Sequence, residues 1–170
     1  LCHCAIRLYT AATFLFKATN FAMRSREKTS SFQHLKPYAR LLNYSVRHYA
    51  RKQPWTGKVH RVLPLDDGGM VEKYRALDRL PKMDAGRCFS WSGFISATAW
   101  VDECLIFQDL RKYGAQKQCL VFMIEPDPKG GSVYPIDLGD MATFGEQDNE
   151  LLYPGGQQFK VVSFDGRLTR

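Results

Sequence analysis

The chain has 170 residues and a mass of 19.5 kDa, the size of a single domain with its own hydrophobic core. Hydrophobic residues make up 45% of it and charged residues 24%, which excludes an intrinsically disordered or fibrous protein. No apolar run approaches the roughly 20 residues that cross a bilayer, so the composition indicates a soluble protein without a membrane span.

Positive charge is concentrated in the first third of the chain. Residues 1–61 carry 12 Lys and Arg against one acid, Glu27, whereas residues 62–170 carry 12 against 16 acids. A solvated helical face explains such a run as well as a binding role does. The binding roles are attraction to an acidic partner protein, to a phosphate-bearing ligand or to nucleic acid. Nucleic acid ranks last because no nucleic-acid-binding signature is present.

Helical spacing dominates the beginning of the chain, which we interpret as a helical portion covering residues 1–56. Apolar and aromatic residues recur at three- and four-residue steps over 5–24 and again over 38–51. The polar stretch 25–31 separates these two predicted helices. Pro37 is expected in the first turn of the second helix, where proline is well tolerated.

Short β-branched and apolar runs dominate the remainder, residues 57–170, of what we expect to be one domain. Strands are predicted at 58–63, 88–96, 118–124, 133–136, 150–153 and 158–164, and helices at 70–80 and 99–113. The continuous apolar run 118–124 predicts a central strand, and Gly93 predicts a bulge or bend within 88–96. Helices first and strands afterwards is an α+β pattern.

The five cysteines fit neither a disulfide framework nor a zinc site, since their number is odd and their spacing scattered. We expect free thiols, with Cys104 and Cys119 buried as small apolar groups, which favours a reducing compartment. Glycine-rich phosphate-binding motifs, zinc-protease motifs and nucleophile elbows are absent from the sequence. The four histidines lack metal-ligand spacing, and no metal is predicted.

Three polar elements on predicted strands stand out together. They are Arg61, the run FISAT at 94–98, and the run EQDNE at 146–150, which continues into LLYP. In this order they resemble the arginine, serine and glutamate signature of the mono-ADP-ribosyltransferases of the cholera- and clostridial-toxin-like branch. That branch includes vertebrate ecto-enzymes and secreted bacterial effectors that act in the host cytosol. FISAT stands where this family has Phe-x-Ser-Thr-Ser, and ELLYP where it has Glu-x-Leu-x-Pro.

The resemblance covers nearly the whole chain, and it implies the family's split β-sandwich with an N-terminal helical portion. It also implies NAD as co-substrate. Glu150 would stabilise the oxocarbenium-like state formed as the bond to nicotinamide breaks, and Ser96 would hold Glu150 in place. Arg61 would bind the pyrophosphate, and the backbone of Val62 the carboxamide. Taken singly, each residue also fits an ordinary surface or strand role.

Three further positions are assigned from the same resemblance. Thr98 replaces the family's last serine, keeps a hydroxyl and is assigned to cofactor binding. Phe107 lies where related toxins have a phenylalanine against the nicotinamide ring, although a core role fits it equally. Asp148 stands where arginine-modifying members have Glu or Gln that helps to deprotonate the acceptor. Because Asp is one methylene shorter, the acceptor is left open between arginine, serine, threonine, another side chain and water, and Asp148 itself also fits a turn.

The sequence therefore predicts a mono-ADP-ribosyltransferase that moves ADP-ribose from NAD to a protein side chain and releases nicotinamide. NAD would lie in a cleft between two sheets, and the basic helices would attract the dinucleotide or dock an acceptor protein with an acidic surface. Two alternatives remain: an NAD glycohydrolase that uses water as acceptor, and a non-catalytic binding module whose basic front is the working surface.

Overall fold

The computed structural model of the chain describes residues 1–11, 14–25, 30–64, 69–103, 119–127, 133–142 and 149–165. The helices are α1 (Cys2–Thr10), α2 (Phe14–Arg24), α3 (Ser30–Lys52) and α4 (Gly69–Arg79). The strands are β1 (Val59–Pro64), β2 (Cys88–Trp91), β3 (Ile95–Thr98), β4 (Cys119–Ile124), β5 (Ile136–Asp137), β6 (Glu150–Tyr153) and β7 (Gln157–Lys160). Mixed helix and antiparallel sheet after a helical front confirm the predicted α+β class.

The described strands form two antiparallel sheets, one in the order β4-β1-β3-β6-β5 and one made of β2 and β7. Helices α1 and α3 cover one face of the larger sheet, and the smaller sheet covers the other. Because successive residues of a strand point to opposite faces, Leu152 packs against the helices while Leu151 packs towards the smaller sheet. Both leucines are buried, so β6 is held from two sides.

The single helix predicted over 5–24 is wrong, because the structure has two helices there. Tyr9 of α1 and Asn20 of α2 meet side by side, with the Asn20 Nδ2 atom donating to the Tyr9 hydroxyl at 2.6 Å. In one straight helix these residues would lie about 16 Å apart along the axis. The third helix starts at Ser30, earlier than predicted, so Pro37 lies inside α3 rather than in its first turn.

The predicted strand 88–96 is two strands, β2 and β3, which belong to different sheets. Gly93 lies where the chain crosses from one sheet to the other, so the interruption was predicted but its consequence was not. The prediction that 118–124 is central is also wrong. Among the described strands β4 pairs with β1 alone, and the outward side chains Val121 and Met123 are 44% and 62% exposed.

The remaining predicted elements agree with the structure to within a few residues, except where the structure leaves residues undescribed. Of the helix predicted over 99–113, residues 101–103 are helical, residues 99 and 100 are not, and residues 104–113 lie outside the described residues. Cys104 also lies outside them. Cys119 is only half-buried because it opens an edge strand, so its predicted burial is wrong. Cys2, Cys4 and Cys88 are free, as is Cys119.

Aromatic rings fill the middle of the space between the two sheets. The Trp91 ring lies 4.9 Å from the Phe159 ring and 5.0 Å from the Phe122 ring, centroid to centroid. Phe89 stacks on Phe159 at 5.6 Å, and Tyr74 meets Phe89 edge-on at 5.0 Å. These described rings therefore pack directly against one another between the sheets, as an aromatic layer. Within the described ranges, no helix is long and apolar enough to cross a membrane.

Candidate active site

Arg61, Ser96 and Glu150 lie on three adjacent strands of the larger sheet, β1, β3 and β6. Thr98 is directly opposite Glu150 on one side and opposite His60 on the other. Residues directly opposite each other share a face of the sheet, as do residues two apart in one strand. The side chains of His60, Thr98 and Glu150 therefore form a row across the sheet, with Ser96 on the same face.

The ladder between β1 and β3 is short, and Arg61 occupies the place where it stops. The two strands share one register pair, His60 with Thr98, whereas β1 and β4 share six pairs. If the ladder continued, Ser96 would lie opposite Val62. Instead the Arg61 Nη1 atom donates a hydrogen bond to the Ser96 carbonyl at 2.6 Å. The sheet is thus split between β1 and β3, with a guanidinium bridging the split.

The Trp91 ring supports the same guanidinium from the smaller sheet. The Arg61 Cζ atom lies 5.4 Å from the centroid of the Trp91 ring, within the range of a cation–π contact. Arg61 itself is half-buried. Its cation is therefore held in a fixed place at the rim of the aromatic layer, without being sealed inside the core.

Tyr9 of α1 is a buried residue whose hydroxyl responds to the charges of both Arg61 and Glu150. Its side chain is 1% exposed, and this burial raises the pKa of the Tyr9 hydroxyl well above its usual value. The Asn20 hydrogen bond lowers that pKa, the negative charge of Glu150 raises it, and the positive charges of Arg61 and Arg24 lower it. Asn20, Glu150, Arg61 and Arg24 therefore all lie within electrostatic reach of the Tyr9 hydroxyl.

Gly93 gives Asn20 the space that this arrangement needs. A Cβ atom on Gly93 would lie 2.5 Å from the Asn20 Oδ1 atom and 3.3 Å from the Arg24 Nε atom. Asn20 is 4% exposed and bonded to Tyr9, so it cannot move aside without losing that bond.

We therefore expect Gly93→Ala to lower the free energy of unfolding by about 1–3 kcal/mol, because the added methyl overpacks a filled site. Chemical denaturation measures this loss. Gly57→Ala is the matched control, since a Cβ there meets only the Trp55 side chain, at 3.0 Å. An equal effect of the two changes would show that the contact with Asn20 is not the cause.

Glu103 forms hydrogen bonds at the end of β3 and just before the start of β6. Its Oε2 atom accepts a hydrogen bond from the Thr98 hydroxyl at 2.9 Å, and its Oε1 atom accepts one from Asn149 Nδ2 at 2.5 Å. The Thr98 hydroxyl also accepts a bond from the Trp100 backbone N–H at 3.2 Å. Thr98 is 2% exposed, so its hydroxyl serves contacts within the protein. Its assignment to cofactor binding stays a prediction.

The other assigned residues are placed to different degrees. Val62 is buried and pairs with Val121 of β4 at the edge of the split. Phe107 and Asp148 lie outside the described residues. The roles of all the predicted site residues stay predictions. In the part of the chain that the structure describes, no group of three or more His, Cys, Asp or Glu could hold a metal ion.

Two features of this site have almost no signature in the sequence. The contact between Tyr9 and Asn20 depends on the helix break between α1 and α2, which the spacing of apolar residues does not show. Glu103 was not identified at all. A single glutamate belongs to no recognisable sequence pattern. The hydrogen bonds that Glu103 accepts from Thr98 and Asn149 depend on the turn that follows β3.

Helix α2 presents an exposed aromatic and cationic face next to the site. Phe14 and Phe21 are 74% and 70% exposed, and Lys17 and Arg24 lie on the same face at helical spacing. A surface hollow of about 510 Å³ is lined by Phe16, Lys17, Phe21, Arg24 and Ser25. We call this face the α2 stripe.

No protein-family model and no curated protein sequence matches the chain. Solved structures do match it. The ADP-ribosyltransferase Vis of Vibrio splendidus, in complex with agmatine, is 12% identical with a TM-score of 0.67, and the match covers 98% of this chain and 68% of Vis. The ADP-ribosyltransferase HopU1 of Pseudomonas syringae is 18% identical with a TM-score of 0.69, over 95% of this chain and 68% of HopU1.

The Salmonella SpvB ATR domain is a third match, 14% identical with a TM-score of 0.58, over 95% of this chain and 79% of that domain. The chain spans about two thirds of the length of Vis and of HopU1. At these identities the likeness concerns the arrangement of helices and strands. The chain therefore has the fold of the ADP-ribosyltransferases, as the resemblance of its motifs implied.

Proposed function

We propose that the protein is a mono-ADP-ribosyltransferase that transfers ADP-ribose from NAD to a protein side chain and releases nicotinamide. The observation that carries this proposal is that Arg61, Ser96 and Glu150 lie on the adjacent strands β1, β3 and β6, with the Arg61 guanidinium bonded to the Ser96 carbonyl, within a fold shared with ADP-ribosyltransferases. Fold alone supports many activities. The three side chains supply the argument for this one.

Arg61 suits the pyrophosphate of NAD. A pyrophosphate needs a permanent cation with several donors, and a guanidinium offers five N–H groups in a planar fork. The bond to the Ser96 carbonyl uses part of this fork, and Trp91 supports one side of it. The dinucleotide would then lie along the rim of the aromatic layer, with its nicotinamide end directed towards β6.

Glu150 suits the nicotinamide ribose. When the bond between ribose C1′ and the nicotinamide nitrogen breaks, its electron pair leaves with nicotinamide, and positive charge develops on the ribose. A fixed carboxylate next to the ribose stabilises that charge as it forms. Glu150 is half-buried at the start of β6, where its backbone is paired with β3. Ser96, two positions before Thr98 on the same face, would hold the carboxylate in place.

The acceptor supplies the nucleophile that bonds to C1′, and its proton must pass to a base. Asp148 is our candidate for that base. Vis was solved with agmatine, a guanidinium compound, which supports including guanidinium acceptors in the test. Because Asp148 is shorter than Glu or Gln, it changes the reach to the acceptor by about 1.5 Å. The acceptor class is therefore decided by experiment.

The test is incubation of the protein with NAD labelled in its ADP-ribose part, in three arms: without acceptor, with agmatine, and with a cell lysate. We expect release of nicotinamide and a labelled protein band in the lysate arm, and mass spectrometry of that band identifies the modified side chain. ADP-ribosylated agmatine would assign a guanidinium acceptor. Free ADP-ribose alone in all three arms would identify a glycohydrolase, and no release of nicotinamide would overturn an enzymatic function.

A non-catalytic binding role is a second candidate, and the α2 stripe favours it. Exposed phenylalanines beside cations form a surface typical of recognition sites, and residues 1–61 carry 12 Lys and Arg against one acid. An acidic partner would match this charge. Under this reading the same incubation releases no nicotinamide, and binding of the partner is unchanged when Glu150 is replaced by Gln.

A further inference from the structure

Glu103 holds together the two strand ends that meet next to Glu150. One carboxylate oxygen accepts from Thr98, the last residue of β3, and the other accepts from Asn149, the residue before β6. Thr98 and Glu150 are direct cross-strand partners. The carboxylate of Glu103 therefore connects both residues that border Glu150, one across the sheet and one along the chain.

Asn149, which is bonded to Glu103, has an unusual backbone conformation. Its φ is +38°, in the left-handed region that side chains other than glycine occupy at a cost and that asparagine tolerates best. A residue in this region redirects the chain within one position. The direction in which β6 begins, and hence the direction of the Glu150 side chain, depends on Asn149 keeping this conformation.

The bond from Asn149 to Glu103 is charge-assisted, because a carboxylate accepts from an amide N–H, and such bonds are stronger than bonds between neutral groups. Glu103 is half-buried, and the bond to Thr98 fixes its second oxygen against a buried hydroxyl. One oxygen of the carboxylate is thus held by Thr98 of β3, and the other holds Asn149, the residue before β6.

We propose that Glu103 is a positioning residue, which orients the Glu150 carboxylate through Asn149 and Thr98 without touching NAD. This inference rests on the proposed transferase function and adds a residue that sets its rate. Misplacement of a reacting group by about 1 Å can lower a rate about 100-fold. Loss of the Glu103 connection is therefore expected to lower kcat and to leave the KM for NAD nearly unchanged, because Arg61 still binds the pyrophosphate.

Glu103→Gln tests this proposal, because it keeps the length of the side chain but leaves only one oxygen to accept two donors. We expect kcat for nicotinamide release to fall about 10- to 100-fold, with the KM for NAD within about twofold of the wild-type value. Asp102→Asn is the matched control, since Asp102 is the exposed neighbour of Glu103. The melting temperatures of the two variants should agree, which separates positioning from loss of stability.

Asn149→Gly completes a double-mutant cycle with Glu103→Gln, because glycine keeps the left-handed backbone available while removing the side-chain bond. If both residues act through one bond, the double variant is no slower than the slower single variant. Wild-type kcat in Glu103→Gln, or rate losses that multiply in the double variant, would overturn the proposal.

Amide hydrogen exchange gives a readout that does not depend on NAD. Exchange at Asn149 and Glu150 should be faster in Glu103→Gln than in the wild type and unchanged in Asp102→Asn. Unchanged exchange in Glu103→Gln would overturn the inference even if the wild-type protein releases no nicotinamide. That last result would be a failure of the proposed function alone, so the two failures are distinguishable.

Discussion

Glu150→Gln is expected to lower the rate of nicotinamide release about 1000-fold while changing the affinity for NAD little. The substitution keeps the size and shape of the side chain and removes the negative charge that stabilises the ribose as its bond to nicotinamide breaks. Removal of one preorganised electrostatic partner of a transition state typically costs about 100- to 1000-fold. The measurement is nicotinamide release under saturating NAD, with NAD binding followed by calorimetry.

Glu125→Gln is the matched control for this result. Glu125 follows β4, its side chain is 63% exposed, and it forms an ion pair with Lys58 at 2.8 Å. The same chemical change at this position should leave the rate at the wild-type value. If Glu150→Gln keeps more than a tenth of the wild-type rate, Glu150 does not have the proposed role.

Arg87→Met is expected to lower the free energy of unfolding by about 3–5 kcal/mol, because it removes a buried guanidinium and leaves its carbonyl and carboxylate acceptors without their donor. Arg87 is 3% exposed, and its Nη2 atom lies 2.7 Å from the Asp78 carboxylate. Its guanidinium also donates to the carbonyls of Leu80, Val161 and Val162 at 2.7–2.9 Å. These bonds fasten α4 and the segment after β7 to the start of β2. Denaturation in urea, followed by circular dichroism, measures the loss.

The control for this prediction is Arg79→Met, since Arg79 is exposed at the end of the same helix α4. Its removal should change the stability by no more than about 0.5 kcal/mol. Equal losses of stability in the two variants would mean that the buried bonds of Arg87 contribute little, and that any positive charge near α4 stabilises the protein to the same extent.

The sequence predicted the positions of helices and strands along the chain better than the contacts between them. Periodicity placed β1, α4 and β6 almost at their observed bounds, because a strand or helix leaves its pattern in consecutive residues. The break between α1 and α2 was missed for the opposite reason. Apolar and polar residues of both helices keep one three-and-four spacing along the sequence, whereas the contacts of Tyr9 with Asn20 and Phe16 show that the chain turns back on itself.

The position of a strand within its sheet was harder still to predict. The run 118–124 is continuous and apolar, which is typical of a strand buried on both faces. In the structure the inner side chain Phe122 joins the aromatic layer, while Val121 and Met123 point outwards. Composition does not show which side of an apolar strand is covered, because that depends on elements distant in sequence.

The candidate site was predictable only through the resemblance of its motifs. Arg61, Ser96 and Glu150 are separated by long stretches of chain, and no periodicity relates them. The structure places them on adjacent strands, yet alternation puts the Arg61 side chain on the opposite face from the other two. What reconciles this is the split beside β3, through which the guanidinium reaches the Ser96 carbonyl, and a split ladder has no signature in sequence.

Strand β2 pairs with β7, a segment that follows it only after β3, β4, β5 and β6 have passed. Contacts between residues so far apart in the chain form late, since closing a long loop costs entropy before the pairing repays it. We therefore expect the two-stranded sheet to complete last during refolding. Until it does, Trp91 is uncovered, and the cation of Arg61 lacks the ring on which it rests.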